Sequence, residues 1–361
     1  MNELEKARQI INKLDCEMAE LFEKRMQAVQ LVAQYKKEHG LSILDSSREK
    51  DVIKSNSALI SDSFIREYYV SFLEKQMELS RSYQMRLNEG MKVAYSGVEG
   101  AFAYIAAKKM FPNAKLIAYE SFEKAYSAVE GGECDTCVLP MENSYAGDVG
   151  TVMDLIFQGK LYINQVIDLA VEHNLLANEG ATLESIKQVV SHPQALSQCN
   201  LYIQKHNFEQ RPYTNTAQAA KLVKESGSIE IGAIASQETA EIYGLKVLDR
   251  KINESRNNTT RFAAFSRVLN EDSSKRKMDQ HFILVFTVKN EAGALAKTLD
   301  IIGAHGFNMR SLRSRPMKEL LWSYYFYVEA DGDIFTDDGK DMIRQLNATC
   351  DRLKLAGAYN T

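Results

Sequence analysis

The sequence predicts a multidomain protein in which an all-α module, a two-lobed α/β domain and a small α+β domain follow one another. Three shifts along the chain predict it. Residues 1–88 hold no proline and a single glycine, Gly40, as long uninterrupted helices require. Residues 92–268 alternate short apolar runs with Gly- and Ser-bearing turns, the pattern of alternating strands and helices. Residues 281–361 run strand, helix, strand, strand, helix, strand, a ferredoxin-like βαββαβ order. The stretches 88–91 and 269–280 are polar and read as linkers.

With 361 residues, 45% hydrophobic and 25% charged, each domain can bury a core of its own. The net charge of −4 excludes a nucleic-acid polyanion as the main partner. It leaves room for small anionic substrates, which need only local cations. No apolar run reaches the ~18 residues of a membrane span, and MNELEKARQI lacks the apolar core of a leader peptide. The expectation is therefore a cytoplasmic protein that does not engage a membrane. Five dispersed cysteines fit free thiols in a reducing compartment. Cys134-x-x-Cys137 has no second pair or histidine pair to complete a zinc site, so no metal and no organic cofactor is expected.

A first helix is predicted over residues 3–38, roughly 54 Å long at 1.5 Å per residue. Its apolar stripe runs Ile11, Leu14, Met18, Leu21, Val29, Val32. Continued through its gap and past its ends, the stripe meets Arg8, Arg25 and Lys36. Arg and Lys are almost never buried unpaired. Arg8 and Lys36 lie near the ends, where they can reach water. Arg25, in the middle, points to an anion. A short helix follows, capped by Asp45 or Ser46, with Arg48 and Glu49 in its first turns. A third helix, about 62–87, has Ser80 and Gln84 four apart on a mostly apolar face.

The set Arg8, Arg25, Lys36, Asp45, Arg48, Glu49, Ser80 and Gln84 resembles the active-site residues of the all-helical chorismate mutases. The resemblance implies an intertwined helical homodimer, or a larger homo-oligomer, whose sites draw Arg8 from the partner chain. It implies chorismate as substrate and no nucleophile. The arginines would bind the two carboxylates. Lys36 and Gln84 would hydrogen-bond the breaking ether oxygen, and Glu49 and Asp45 would orient the ring hydroxyl.

In the central region, polar motifs recur at predicted strand ends and helix starts. Gly97-x-x-Gly100 precedes a helix, an arrangement able to cradle an anion. Pro140 ends a strand ahead of Glu142, Asn143 and Ser144. Ser191-His192-Pro193-Gln194 and Asn215-Thr216 each open a helix, and Thr260-Arg261 precede Phe262. Each alone is also an ordinary capped turn, and Arg261 can equally make a structural ion pair. Together they suggest one cleft between two lobes, because ligands in α/β folds bind at such edges.

The ordered motifs GxxGAF (97–102), PMENS (140–144), SHPQAL (191–196), NTAQAA (215–220) and TRF (260–262) resemble the prephenate dehydratases. The resemblance implies a two-lobed, periplasmic-binding-protein-like domain that converts prephenate to phenylpyruvate. Thr260 would act as a positioned proton donor or hydrogen-bond relay, backed by Glu142. Gly97, Gly100, Asn143, Ser144, Ser191, His192, Thr216, Arg261 and Phe262 would form the substrate site. Ala101 and Ala103 depart from the hydroxyl residues usual there.

The tail resembles the ACT regulatory domains that follow such dehydratases. Gly293-Ala294-Leu295 matches one effector motif and Ser314-Arg315-Pro316 most of the second. The resemblance implies phenylalanine as effector, held by Gly293, Ala294, Leu295, Asn308, Ser314 and Arg315, and an exposed strand edge suited to a second copy. Arg313 stands where the family usually has Glu.

Overall fold

The computed structural model describes residues 2–255, 257–271, 279–317 and 323–360. Part of the 269–280 linker, residues 272–278, lies outside the described residues, as does Trp322 at the start of a predicted tail strand. The chain divides into two compact units, Met1–Met91 and Lys92–Thr361.

The first unit is three helices, α1 (Glu3–Glu38), α2 (Ser46–Ser57) and α3 (Ser63–Glu89). Asn2 caps α1 with Glu5 answering as a capping box, Asp45 caps α2, and Asp62 caps α3. Each cap satisfies first-turn N–H groups that the helix leaves free. Ala33 of α1 is buried, as are Leu73 and Met77 of α3. The first 22 residues of α1, however, are exposed throughout. Leu14, Met18 and Leu21 are 51%, 53% and 64% exposed, so the apolar stripe has no cover within one chain.

The second unit begins with β1 (Lys92–Ser96), α4 (Phe102–Met110), β2 (Lys115–Tyr119), α5 (Phe122–Glu130), β3 (Thr136–Asn143), β4 (Gly147–Asp148), α6 (Gly150–Gln158) and β5 (Tyr162–Ala170). The chain then crosses into a second lobe of β6 (Asn174–Ala177), β7 (Gln188–Ser191), α7 (Pro193–Gln198), α8 (Asn200–Lys205), β8 (Glu209–Pro212), α9 (Thr216–Ser226), β9 (Ile231–Ala235), α10 (Gln237–Tyr243) and β10 (Lys246–Asp249). It returns as β11 (Thr259–Ser266). The second lobe has its own sheet, ordered β10-β6-β9-β7-β8. In the first lobe β11 lies antiparallel between β3 and β5. The returning strand is therefore central, and it carries Thr260.

The tail is β12 (Gln280–Thr287), α11 (Ala294–Ala304), β13 (Met309–Pro316), β14 (Tyr324–Asp331), α12 (Asp337–Thr349) and β15 (Arg352–Asn360). Its strands order β13-β14-β12-β15, and β15 continues into β5. That joint is a single parallel pair, Gly357 with Ile163. A Cβ on Gly357 would fall 2.5 Å from the Ile163 carbonyl oxygen, so only glycine permits the approach.

The run HFILVF is apolar at every position after His281 because β12 is buried on both faces. Phe282, Leu284 and Phe286 pack with Ile302, Met342 and Leu346 of α11 and α12. Ile283 and Val285 pack the other way, with Met153, Ile156 and Phe157 of α6. Helices α11 and α12 cover one face of this sheet, and α6 of the central domain covers the other. Phe157 stacks on Tyr325 at 4.3 Å, a contact worth about 0.5–1.5 kcal/mol beyond area. Lys354 donates to the carbonyls of Ile156 and Gly159 at 2.8 and 2.6 Å, satisfying orphan groups at the C-terminus of α6. Burial lowers the Lys354 pKa to about 8.

Among the described residues, no helix is long and apolar enough to cross a membrane. Cys134 and Cys137 are both buried, and burial pushes both thiols up, the condition of an inert cysteine.

Candidate active sites

In the helical unit, Arg25 Nη1 donates to Ser80 Oγ at 2.5 Å, and the Ser80 hydroxyl donates to the Gln76 carbonyl at 2.7 Å. Ser80 and Gln84 are buried one turn apart on α3. Burial lowers the Arg25 pKa, which marks a cation poorly solvated in the single chain. Gln84 Oε1 is buried with no hydrogen-bond partner among the described residues. Such an orphan costs about 1–3 kcal/mol. Lys36 donates to the Ile43 carbonyl at 2.6 Å, and Glu49 is ion-paired to Arg81. Asp45 is occupied as the cap of α2, accepting from Arg48 N–H at 3.0 Å, while Arg8 and Arg48 are exposed. The structure thus gathers Arg25, Ser80 and Gln84 and leaves Arg8 apart. Arg81 escaped the sequence reading. It lies one residue after Ser80 and so falls off the stripe that drew attention.

In the second unit, β11 and β3 pair Thr260 with Asn143 and Arg261 with Glu142. Asn143 Oδ1 accepts from the N–H groups of Tyr145 and Ala146 at 3.0 and 2.9 Å. Those two donors fix the amide's orientation, which geometry alone leaves open. Asn143 Nδ2 must then face the strands. It donates to Thr260 Oγ1 at 2.9 Å and to Asn258 Oδ1 at 2.8 Å. With its oxygen accepting, Asn258 turns Nδ2 onto Gln198 Oε1 at 3.0 Å. His173 Nε2 lies 2.9 Å from the same oxygen and is therefore its second donor.

A hydroxyl has one proton and two lone pairs. Thr260 Oγ1 uses a lone pair on Asn143 and donates to no group among the described residues. Its proton is left for a ligand. His173 is 2% exposed, and burial lowers its pKa although the Gln198 contact opposes this, so the ring is neutral. Gln198 and Asn258 line a cleft of about 200 Å³ with Tyr145, Asn253, Glu254 and Ser255. None of Asn258, Gln198 and His173 was singled out from sequence. Asn258 was readable there, two residues before Thr260 and hence on the same strand face. Gln198 was readable four residues after Gln194 on α7.

The same alternation separates Glu142 and Arg261 from Thr260. Both turn to the opposite face, toward the tail. Glu142 Oε2 meets Arg313 Nη2 at 2.6 Å. Arg261 makes a bidentate pair with Glu329 at 2.9 and 2.8 Å, the structural ion pair that was its alternative reading. Ser144 accepts from Thr259 N–H at 3.0 Å and donates to the Asn257 carbonyl at 2.9 Å, framing the entry of β11. Phe262 is core, 2% exposed.

Elsewhere in the predicted substrate set, Ser191 is buried and donates to the Ile234 carbonyl at 2.6 Å, which commits its proton to the sheet. His192 caps α7, with Nδ1 accepting from Gln194 N–H at 3.2 Å. Asn215 caps α9, with Thr216 as its first residue. Gly97 and Gly100 take φ of 108° and 86°, which favour glycine. Thr239 Oγ1 donates to the Gly100 carbonyl at 2.8 Å and Tyr243 to the Glu99 carbonyl at 2.9 Å, tying this turn to the second lobe. Ala101 is the N-cap of α4 and supplies no side-chain hydrogen bond. The missing hydroxyl noted in the sequence is thus a missing cap.

In the tail, Gly293 caps α11 at φ 81°, with Ala294 and Leu295 its first residues. Asn308 Nδ2 donates to Asp331 at 2.9 Å. Ser314 is exposed. Arg315, expected in the effector set, instead lies 3.5 Å from Asp154 of α6, because odd-numbered residues of β13 from Ser311 face inward.

Comparison with known proteins gives the family of each region. Residues 93–269 match the family profile described as prephenate dehydratase, and residues 7–85 that of chorismate mutase type II. An arogenate dehydratase/prephenate dehydratase of Arabidopsis thaliana is 32% identical over 74% of this chain and 72% of its own length. A bifunctional chorismate mutase/prephenate dehydratase of Neisseria gonorrhoeae is 29% identical over 98% of this chain and 96% of its own. A crystal structure of prephenate dehydratase from Arthrobacter aurescens in complex with L-Phe is 27% identical, covers 75% of this chain and 90% of that one, and superposes with a TM-score of 0.68. The chain belongs to the prephenate dehydratase family, in its bifunctional form with a chorismate mutase region ahead of the dehydratase.

Proposed function

We propose that residues 1–91 rearrange chorismate to prephenate and that residues 92–361 convert prephenate to phenylpyruvate, water and CO2. The observation that carries the second step is Thr260, whose oxygen is held by Asn143 while its proton stays free. In the reaction the C–CO2⁻ bond breaks, its electron pair completes the aromatic ring, and hydroxide leaves and takes a proton from solvent to become water. A free Thr hydroxyl is a weak acid, so Thr260 acts as a fixed hydrogen-bond donor that eases the departure of hydroxide. Asn143 strengthens that donor, because chains of hydrogen bonds polarise one another. The chain from His173 through Gln198 and Asn258 keeps Asn143 in the one orientation that works.

Prephenate rather than arogenate, which carries an ammonium in place of the keto group, is the substrate we favour. The mutase region ahead of the dehydratase supports this, since its product is prephenate. We expect kcat/KM for prephenate to exceed that for arogenate by about tenfold or more, on the scale of one well-read polar group. Separate steady-state assays on one preparation decide it, and the reverse preference rejects this assignment.

For the mutase step no proton moves, and the site has only to fold the substrate and stabilise its ether oxygen. Arg25 and Lys36, with Arg8 and Arg48, supply the cations. Gln84 lends its amide donor, and its unsatisfied oxygen suits the substrate hydroxyl or a second chain. The uncovered stripe Leu14, Met18, Leu21 supports a homodimer in which α1 finds its core on the partner and brings Arg8 to the partner's site. Sedimentation is expected to give at least twice 40.8 kDa; a monomer fully active as a mutase is the contrary result.

The strand order β13-β14-β12-β15 supports a ferredoxin-like ACT domain for the tail, with phenylalanine as effector near Gly293, Ala294, Leu295, Asn308 and Ser314. A relative crystallised in complex with L-Phe supports the same ligand. Calorimetric titration with phenylalanine is expected to give saturable heat and dehydratase inhibition, and their joint absence counts against the effector assignment. Five free cysteines support a reducing, cytoplasmic setting.

A further inference from the structure

We infer that Arg313 and Glu329, on the tail strands β13 and β14, are positioning residues for the dehydratase, acting through the neighbours of Asn143 and Thr260. The inference rests on the assignment of Thr260 as the hydrogen-bond donor to the leaving hydroxide. Strand alternation sends Asn143 and Thr260 to one face of the β3/β11 pair and Glu142 and Arg261 to the other. On that second face the tail offers the complementary charges in the complementary order. Arg313 takes Glu142 at 2.6 Å and also pairs with Asp148, which is itself the cross-strand partner of Glu142 in β4. Glu329 takes Arg261 through two parallel hydrogen bonds, the geometry that fixes direction as well as distance.

The two contacts form a crossed pair, acid to base and base to acid. Any slip of the tail that exchanged partners would set like charges together. The energetics favour a tight hold. Glu329 is 1% exposed. Burial alone would raise its pKa, but the hydrogen bonds from Arg261 and Tyr359 keep it below the usual carboxylate range. Burial likewise opposes the Arg313 charge, and the hydrogen bond it donates to Glu142, with the field of Asp148, outweighs this. Separating either pair strands a charge in a poorly solvated place, a heavy penalty.

Beside these pairs lies a cleft of about 820 Å³ lined by Lys109, Asp168, Arg310 and both pairs. Asp168 already stands 3.5 Å from Arg261 Nε, so Arg261 has a second carboxylate within reach. Motion of the tail therefore has a route to the chemistry that is one peptide long. Glu142 drags Asn143 and Arg261 drags Thr260, and the catalytic hydrogen bond between them changes length or angle. Arg313 stands where the resembling ACT domains have Glu, so this part of the clamp belongs to the present chain.

The test is steady-state dehydratase kinetics on the full chain for Arg313→Gln, Arg313→Lys and Glu329→Gln, with mutase kinetics on each preparation as the folding control. Arg313→Gln and Glu329→Gln are expected to lower dehydratase kcat about tenfold or more with KM within about twofold, the signature of an interaction felt in the transition state. Arg313→Lys, which keeps the charge but not the fork that reaches both carboxylates, should recover part of kcat. Wild-type kcat in both Gln variants overturns the proposal. A loss of kcat in Arg313→Lys as large as that in Arg313→Gln also overturns it, because the charge on Arg313 then does not hold Glu142 in place. Thr260→Ala run alongside separates the two assignments: full dehydratase activity there removes the premise, whatever Arg313 does.

Discussion

Thr260→Ala is expected to lower the dehydratase kcat by about 100- to 1,000-fold, the usual worth of one hydrogen-bond donor aimed at developing charge, or about 2.7–4 kcal/mol of barrier. The fold should survive. Asn143 Nδ2 keeps Asn258 Oδ1 at 2.8 Å and the Thr259 carbonyl at 3.3 Å, so no buried donor is orphaned. Thr260→Ser retains the hydroxyl and should recover most of the rate, because Asn143 still directs the oxygen. KM for prephenate should change little, since the hydrogen bond matters chiefly when hydroxide departs. The measurement is initial rate of phenylpyruvate formation against prephenate concentration. A Thr260→Ala variant with kcat within about threefold of the parent rejects the hydrogen-bond-donor role and the hydrogen-bond chain behind it.

Arg25→Ala is expected to cost the mutase about 100- to 1,000-fold in kcat/KM, comparable to loss of one preorganised charge-stabilising group. Dehydratase kinetics should not change. Ser80 retains its hydrogen bond to the Gln76 carbonyl at 2.7 Å, and Arg25 is already poorly solvated, so its removal does not open the three-helix unit. Arg25→Lys should recover only part of the activity, because an ammonium cannot reproduce a guanidinium fork on a carboxylate. Chorismate disappearance gives the rate, and helical circular dichroism gives the fold. Unchanged mutase kinetics in Arg25→Ala removes the anion site from α1.

The helical unit was legible because its signals are local. The spacing predicts a helix over 3–38, and α1 runs Glu3–Glu38; Asp45 and the start of α2 follow from capping chemistry. The uncovered stripe was legible as an anomaly, since cations on an apolar face demand a partner. The tail's element order was legible too, from strands of continuous or alternating hydrophobicity. What escaped was long-range pairing. Nothing local in PMENS or TRF says that β11 returns to lie between β3 and β5, so the motifs read as polar clusters rather than as two faces. Once the register is known, Asn143 joins Thr260 while Glu142 and Arg261 leave for the tail. Arg313 looked like a charge reversed beside an effector pocket. It is a contact to Glu142, more than 170 residues earlier in the chain, and spacing along the sequence cannot reveal that. The cover that α6 gives the tail sheet was hidden for the same reason, although the unbroken apolar run of β12 hinted at burial on two faces.

Two independent sites on one chain is the central claim, and chorismate supplied to Thr260→Ala tests it most directly. Products are followed with time on a single purified preparation. Chorismate should be consumed at the parent rate while prephenate accumulates and phenylpyruvate does not form. Formation of phenylpyruvate at the parent rate, or failure to consume chorismate by a variant that folds normally, contradicts the account.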